Sequence, residues 1–341
     1  VEFDREEVRF EIDENGHPIK VYFKESKDSN KLIEEFMLLA NRTVAATIGV
    51  PAGKKKPKAF VYRVHDQPDV TKLADLAKIA RTFGYKIKTS GSANEINKSI
   101  NKMLADVKGK GEENLLSVLA IRSMAKAIYS TDNIGHYGLG FQYYTHFTSP
   151  IRRFPDMMVH RLLERYLAGG RSVNVEKLEE QCKHSSSMEQ LAANAERASI
   201  KYKQCEYLGD RLGEMYDGVV SGVTEWGLYV ELNENKCEGL VPVRDLADDY
   251  YDFDERNYCL VGRRNKTRYT LGDRVRVQVA RVNVERKMVD FALIDDKGRP
   301  KEDIAGNDVS VKEALSSTPA KGKKKPARQR RSPKPPRRGR R

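Results

Sequence analysis

The sequence predicts an α+β protein: a mostly helical block that starts with a β-hairpin, then an all-β barrel, then a disordered basic tail. Apolar residues recur every three or four positions through most of residues 29–215, as in amphipathic helices. Over 216–294 they alternate with polar residues in short segments bounded by glycines, as in β-strands. The remainder is rich in Lys, Arg, Pro and Ser and cannot bury enough apolar surface to become ordered. We expect domain boundaries that give regions 1–212, 213–295 and 296–341.

Alternation on both sides of a turn predicts the hairpin. The turn is Asp13–Gly16, whose Asn-Gly step tolerates the positive φ angles of tight hairpin turns. The apolar residues that would lie on the faces of the two strands are Val8, Phe10, Ile12, Ile19, Val21 and Phe23.

Periodic apolar segments predict the helices of the block. In the first segment, Ser29-Asn30 would cap a helix that ends at Gly49 and has an apolar face of Leu32, Phe36, Leu39 and Val44. Further helices are predicted at 69–83, 93–108, 112–129 and 175–215. Strands are predicted at the start of 60–69, where we expect His65 to be a packed or turn-capping residue, and in the glycine- and aromatic-rich segment 135–144.

One stretch places charged residues between two prolines. Ser149 followed by Pro150 predicts a helix start, because a hydroxyl can cap and the missing N–H of proline does no harm in a first turn. Pro155 forces a second interruption, and Asp156 opens an apolar run with helical spacing. Residues 149–153, which we call the arginine turn, should therefore precede a helix N-terminus.

The arginine turn has the composition of a phosphate site. The Arg152 and Arg153 guanidinium groups would lie near free backbone N–H groups and the positive end of a helix dipole. The alternative is that both arginines pair with local acids such as Asp156 and Glu164.

The region after residue 213 predicts a small OB barrel, since five short strands are interrupted by a long connection. Trp226 precedes Gly227 at a predicted strand start, and Tyr229 lies two positions after Gly227. Trp226 is either a barrel-core residue or an exposed aromatic at the barrel mouth, and the adjacent glycine favours exposure.

The net charge of +13 is concentrated in the tail. Residues 318–341 contain twelve Lys and Arg and no acid, so the rest of the chain carries about +1. Such a tail suits phosphate backbones without reading sequence, although a solubility tail would have the same composition.

Cysteine spacing argues against a zinc site and for reduced thiols. None of the four cysteines forms a Cys-x-x-Cys pair. We expect reduced, mostly packed thiols in a cytoplasmic protein. No run of eighteen apolar residues is present, so we expect no membrane span. Nothing in the sequence indicates a dimer, and we expect a monomer.

Long motifs carry a resemblance to a known family. The segment GHYGLGFQYYTHFTSPIRRFPDMMVHRLL resembles the C-terminal part of the RNB catalytic domain of the ribonuclease R and ribonuclease II family. KLIEEFMLLAN, YRVHDQPD and NAER resemble further elements of that domain. EWGLYVEL, EGLV and LGDRVRVQVARV resemble the S1 RNA-binding domain that ends ribonuclease R proteins, although Pro242 stands where a His is usual.

The resemblance implies a 3′-to-5′ hydrolytic exoribonuclease that degrades single-stranded RNA to nucleoside 5′-monophosphates. It implies Mg²⁺ ions held by clustered aspartates, which activate water for in-line attack. Arg152, with Arg153 second, would offset charge on the scissile phosphate. Glu196, in NAER, would be an active-site carboxylate.

The resemblance also implies RNA-binding residues. Phe3 would stack on a base, or else pack at a strand edge. One of Glu34 and Glu35 would contact a ribose, and both choices stay open. Trp226 and Tyr229 fall on the stacking positions of the S1 domain.

The family's DxxDxDD-type aspartate motif is absent from the sequence. The chain also opens on a charged alternating segment without an initiator Met, so we expect a fragment with little or no nuclease activity alone. The alternative is a non-catalytic RNA-binding protein that acts through the S1 domain and the basic tail. A translation-associated S1 factor would leave the helical block unexplained.

Overall fold

A computed structural model describes residues 7–24, 27–50, 56–110, 112–246, 248–255 and 257–294. Phe3 and the predicted tail, 296–341, lie outside these described residues. The α+β class is confirmed: helices and a hairpin come first, and a closed five-stranded barrel follows.

The helical block contains six α-helices and two short strand pairs among the described residues. Its helices are α1 (Asp28–Gly49), α2 (Val70–Thr82), α3 (Ala93–Val107), α4 (Glu113–Ser123), α5 (Phe154–Leu167) and α6 (Val175–Gly209). Its strands are β1 (Glu7–Ile12) and β2 (Pro18–Lys24), which form the predicted hairpin, and β3 (Tyr62–Val64) and β4 (Ile128–Ser130), which pair antiparallel.

Polar caps explain several helix starts. Asp69 accepts the backbone N–H groups of Thr71 and Lys72 at the start of α2. Ser92 and Glu95 form a reciprocal capping box at the start of α3. Asn174 accepts from the N–H of Lys177 at the start of α6. These side chains satisfy donors that a helix N-terminus leaves free.

Several local predictions were wrong. Helix α6 ends at Gly209 rather than at residue 215, because a strand begins at Met215. The first helix begins at Asp28, with Lys27 at the N-cap, so Ser29 and Asn30 lie inside its first turn. The fourth helix ends at Ser123, because the chain then forms β4 and pairs with β3. Segment 135–144 is not a strand: it folds into a 3₁₀ turn at Tyr137–Leu139, closed by left-handed Gly140 at φ 70°.

Three of the four residues on the predicted apolar face of α1 are exposed, while the fourth, Val44, packs against a hydrophobic core. Leu32, Phe36 and Leu39 are each more than half exposed. The buried side of α1 is instead its C-terminal half, where Asn41, Ala45, Ile48 and Gly49 pack inward.

Helix α6 contributes residues to two different hydrophobic cores. The first joins the C-terminal half of α1 to β3, β4 and α5 and includes Ala45, Phe60, Val61, Tyr129, Val159 and Leu178. The second joins α2, α3 and α4 to the barrel and includes Leu76, Ile100, Leu116, Leu208, Leu228 and Phe291. Because Leu178 belongs to one core and Leu208 to the other, α6 ties the helical block to the barrel.

The barrel confirms the predicted OB-type architecture. Its closed order is β11-β12-β7-β6-β5. The strands of the barrel and of the sheet inserted in it are β5 (Met215–Thr224), β6 (Gly227–Leu232), β7 (Glu238–Pro242), β8 (Tyr251–Asp254), β9 (Cys259–Gly262), β10 (Arg268–Thr270), β11 (Arg274–Asn283) and β12 (Met288–Leu293). The inserted sheet, β8-β9-β10, occupies the long connection for which the sequence predicts no elements.

The cysteines agree with the expectation of reduced, packed thiols. All four cysteines are free and buried, and burial raises the pKa of the Cys182 and Cys237 thiols to about 12. Within the part of the chain that the structure describes, no helix is both long and apolar enough to cross a membrane.

Candidate nucleic-acid interface

The arginine turn is a hydrogen-bonded turn that runs directly into α5. The Ser149 carbonyl accepts the backbone N–H groups of Arg152 and Arg153 at 3.3 and 3.0 Å. The helix begins at Phe154, so the two arginines do lie just before a helix N-terminus, whereas no helix starts at Ser149. Pro155 occupies the first turn of α5. Proline fits there because the N–H that it lacks would have no partner inside the helix.

A buried carboxylate clamps the two ends of this turn. Asp156 is completely buried. Its Oδ1 accepts both the Ser149 backbone N–H and Arg153 Nη2, each at 2.8 Å. Arg153 thus follows the local-pairing alternative, and its side chain is 23% exposed.

Arg152 differs from its neighbour. Its side chain is exposed at the apex of the turn and makes no hydrogen bond or ion pair with any of the described residues. Ile151 beside it is also fully exposed. Of the two candidate arginines, Arg152 is therefore the one whose guanidinium can meet a ligand without breaking a protein contact.

The chain that leads into the turn holds a neutral histidine near several cations. His146 Nδ1 lies 2.8 Å from the Tyr129 hydroxyl. Burial, with help from Arg153 and Arg63, lowers the pKa of His146 to about 3. The ring is uncharged near neutral pH, so the positive potential here comes from arginines.

Helix α1 supports the same segment through Asn41. The Asn41 side chain accepts the Phe147 N–H at 2.9 Å and donates to the Tyr144 hydroxyl at 3.1 Å. Glu34 lies seven residues earlier, on the helix face of Asn41, whereas Glu35 is rotated by about 100°. Both glutamates are exposed and neither has a partner among the described residues.

Helix α6 carries Glu196. This residue is exposed, and its carboxylate makes no hydrogen bond or ion pair with the described residues. Glu189, seven residues earlier on the same helix face, binds Arg63 of β3 with distances of 2.6 and 3.1 Å. Since α-helices rise about 1.5 Å per residue, Glu196 lies about 10 Å beyond this ion pair along α6.

The barrel carries the two aromatic residues that the resemblance singles out, Trp226 and Tyr229, which we call the stacking face because base stacking is predicted there. Trp226 lies in the turn between β5 and β6 and is 68% exposed, so the expectation of exposure is confirmed. Gly227, at φ 145°, lets the backbone approach β7, where a Cβ would meet the Val241 carbonyl at 2.0 Å. Tyr229 pairs with Gly222 across the strands, and its ring is partly exposed.

His65 has the structural role that the sequence favours. Its Nδ1 accepts the Gly138 N–H at 2.8 Å, and its Nε2 lies 2.8 Å from the Ala125 carbonyl. Both ring nitrogens are therefore occupied by backbone groups. A groove of about 1140 Å³ lies beside this ring.

A metal site does not fit the residues present. Within the described ranges, no three His, Cys, Asp or Glu side chains are grouped so that they could hold a metal ion. Asp248 and Asp249, an acidic pair of the barrel domain, are engaged locally: Asp249 accepts the N–H groups of Arg264 and Asn265. The Mg²⁺ implied by the resemblance therefore has no ligand set among the described residues.

Sequence reasoning missed three residues that shape the site. Asp156 was expected only as the start of a helical run and as an acid that could pair with the two arginines. Asn41 and Glu189 were not proposed as site residues. Asn41 gives one usable signal, because it is a polar residue whose neighbours on the buried side of the C-terminal half of the helix, Ala45 and Ile48, are apolar. The Glu189 contact joins residues 126 positions apart, and no local pattern indicates it.

Comparisons with known proteins identify the class. Residues 1–169 match the RNB domain, and residues 210–293 match the S1 RNA binding domain. A protein with these two domains in this order is an RNB–S1 protein. The chain belongs to the ribonuclease R family within that class.

Particular relatives give the extent of the similarity. The chain is 41% identical over 302 residues to ribonuclease R of Aquifex aeolicus, covering 86% of this chain and 41% of that protein. It therefore spans less than half the length of this relative.

Solved structures of other proteins also have a similar fold. Mycoplasma genitalium RNase R in complex with ribose methylated single-stranded RNA matches with a TM-score of 0.77 at 26% identity, over 86% of this chain and 46% of that one. Yeast Ssd1, a pseudonuclease, matches with a TM-score of 0.54 at 27% identity, over 68% of this chain and 29% of that one.

Proposed function

We propose that this chain binds single-stranded RNA and supplies the RNA-holding part of a ribonuclease R-type, 3′-to-5′ hydrolytic exoribonuclease. Arg152 contacts a backbone phosphate close to the bond that is cut. Trp226 and Tyr229 stack on bases further along the strand. The observation that carries the proposal is the exposed Arg152, which has no partner among the described residues and lies at the apex of a turn whose ends are fixed.

The physical basis of the phosphate contact is charge and geometry. A guanidinium donates to phosphate oxygens in a fixed fork, and charge-assisted hydrogen bonds are about twice as strong as neutral ones. Arg152 is exposed and next to a helix N-terminus, whose free N–H groups also favour anions. Arg153 is held by Asp156, so its role is to shape the turn and to add positive potential.

For the ribose contact we propose Glu34 rather than Glu35. Glu34 shares the face of α1 on which Asn41 holds the segment that leads to the arginine turn. Glu35 points about 100° away from that face. Glu196 is proposed as an active-site carboxylate, because it follows Glu189 on the α6 face that is tied to β3.

We propose that this polypeptide alone does not hydrolyse RNA. The sequence lacks the DxxDxDD-type motif, and the described residues offer no metal-ligand cluster. The phosphate-holding and base-stacking groups are independent of such a cluster, so binding is expected to persist. Release of nucleoside 5′-monophosphates with Mg²⁺ is expected only when clustered aspartates are supplied.

A second candidate function is RNA binding with no catalytic role at all. The lack of a metal-ligand cluster among the described residues favours it, and the solved pseudonuclease Ssd1 is similar in structure over 68% of this chain. The two candidates predict the same behaviour of the isolated chain. They differ when an aspartate-bearing RNB segment is added in trans, because only a part of an enzyme would then shorten RNA.

The test follows a 5′-labelled single-stranded RNA on a native gel and a denaturing gel, with and without Mg²⁺, at two salt concentrations. The proposal predicts salt-sensitive binding and RNA of unchanged length. Shortening to mononucleotides by the chain alone would show a metal site that the described residues lack. Absence of binding at low salt would contradict the proposal.

A further inference from the structure

We infer that Asp156 is a positioning residue for Arg152: it fixes the arginine turn in the shape that presents the Arg152 guanidinium to an RNA phosphate. The inference rests on the proposed function, since it names the side chain that prepares the phosphate contact. Asp156 itself is completely buried and would not touch RNA.

Asp156 and its hydrogen bonds to Ser149 and Arg153, which we call the clamp, hold the turn at its first and last residues. Asp156 Oδ1 accepts hydrogen bonds from the Ser149 N–H and from Arg153 Nη2. Inside the turn itself, the Ser149 carbonyl accepts the N–H groups of Arg152 and Arg153. One buried carboxylate on α5 therefore ties both ends of a five-residue segment, leaving its apex to project outward.

Charge gives the clamp a second effect. Asp156 neutralises Arg153, so Arg152 is left as the exposed, uncompensated cation of the turn. Two adjacent free guanidinium groups would repel each other and would sample several side-chain rotamers. With Arg153 held by Asp156 and the backbone of the turn fixed, binding a phosphate has to restrict only the rotamers of the Arg152 side chain.

The clamp is also a poor arrangement for stability alone. Asp156 Oδ2 and Arg153 Nε are buried and have no hydrogen-bond partner among the described residues. Nearly all buried polar atoms in folded proteins have partners, and a buried ion pair with unused donors and acceptors stabilises weakly. An effect on the geometry of the turn therefore explains this pair better than an effect on stability.

The experiment is a double-mutant cycle on RNA binding. The full chain is compared as wild type, Arg152→Gln, Asp156→Asn and the double variant, each checked for folding by thermal unfolding. Affinity for a single-stranded RNA is measured over a range of salt concentrations. In the wild-type background, Arg152→Gln should weaken binding about ten-fold and reduce the salt slope by about 0.7, as expected for one lost contact to a single strand.

Coupling between the two positions decides the inference. If Asp156 positions Arg152, the Arg152→Gln effect shrinks to about two-fold or less when residue 156 is Asn. An equal effect in both backgrounds would overturn the inference and leave the proposed phosphate contact intact. No effect of Arg152→Gln in the wild-type background would overturn the phosphate contact and the inference with it.

A second variant covers a loss of folding on Asp156→Asn. Arg153→Lys keeps a positive charge beside the buried Asp156 carboxylate but removes the guanidinium that holds the end of the turn, so folding is expected to survive. The same cycle with Arg152→Gln is expected to show the same coupling. Additive effects in that cycle would overturn the inference.

Discussion

Arg63 and Glu189 form a two-bond ion pair between β3 and α6, with nitrogen–oxygen distances of 2.6 and 3.1 Å. The Arg63 guanidinium also lies 4.6 Å from the centre of the Tyr129 ring. The Tyr129 hydroxyl contacts His146, which leads into the arginine turn. This pair therefore connects the helix that carries Glu196 with the segment that carries Arg152.

Removal of the Glu189 charge should destabilise the chain. Glu189→Gln is expected to lower the free energy of unfolding by about 1–2 kcal/mol, because the Arg63 side chain is mostly buried and would lose its charged partner. Glu180→Gln, on an exposed stretch of the same helix, is the matched control and should change stability by less than about 0.5 kcal/mol. Urea denaturation measures the change in the free energy of unfolding for both variants. Equal changes would show that the ion pair contributes nothing to stability.

Glu34 and Glu35 should differ in their effect on sugar recognition. We expect Glu34→Gln to reduce the preference for RNA over a 2′-deoxy strand of the same sequence by about ten-fold, since a carboxylate that accepts from a 2′-hydroxyl is lost. Glu35→Gln removes the same charge one position away and should leave the preference unchanged. The ratio of dissociation constants for the two strands is the measurement, and a reversed order would reject the assignment.

The stacking face should contribute to affinity without sequence preference. Trp226→Ala and Tyr229→Ala are each expected to weaken single-stranded RNA binding by about 1–3 kcal/mol. Tyr250→Ala is the control, because Tyr250 is 70% exposed on the same domain but outside the stacking face. Fluorescence anisotropy with pyrimidine-rich and mixed RNAs tests this, and a loss confined to one base type would contradict stacking.

Two partly buried histidines should make the chain sensitive to acid. The pKa of His146 is lowered to about 3 and that of His136 to about 4, chiefly by burial. In the unfolded chain both would titrate near 6.5, so that state binds more protons below this pH. Their contribution to stability is thus complete above about pH 6.5 and falls as the pH drops toward about 4.

Urea denaturation between about pH 7 and pH 5 checks this sign. Each histidine should remove up to about 1.4 kcal/mol per pH unit below about pH 6. His146→Gln should flatten the decline. A stability that is constant over this range would contradict the assignment of neutral, buried rings.

The sequence predicts those parts of the fold that depend on local periodicity and composition. The hairpin, the positions of α2 and α3, and the barrel strands follow from alternation, spacing and turn residues. Segment 135–144 does not follow, because tertiary contacts of Gly138 with His65 replace the strand that its aromatic residues favour. The early end of α4 has the same cause, since pairing with β3 draws residues 128–130 into a strand.

The residues of the candidate site could also be predicted only in part from the sequence. Arg152 and Arg153 could be chosen from the two prolines and the helix start, and the resemblance added Glu196. Their different states could not be predicted, because the pairing of Arg153 with Asp156 depends on how the turn folds back on α5. The choice between Glu34 and Glu35 likewise needed the position of Asn41 on the buried side of α1.

The most direct test of the central claim, a contact between Arg152 and a backbone phosphate, uses single-stranded RNAs in which one phosphodiester at a time is replaced by an uncharged methylphosphonate. Wild-type binding should weaken when one particular linkage near the 3′ end is replaced. Arg152→Gln should bind the RNA with that replacement as well as it binds the unmodified RNA. Identical profiles for the wild type and Arg152→Gln would contradict the claim.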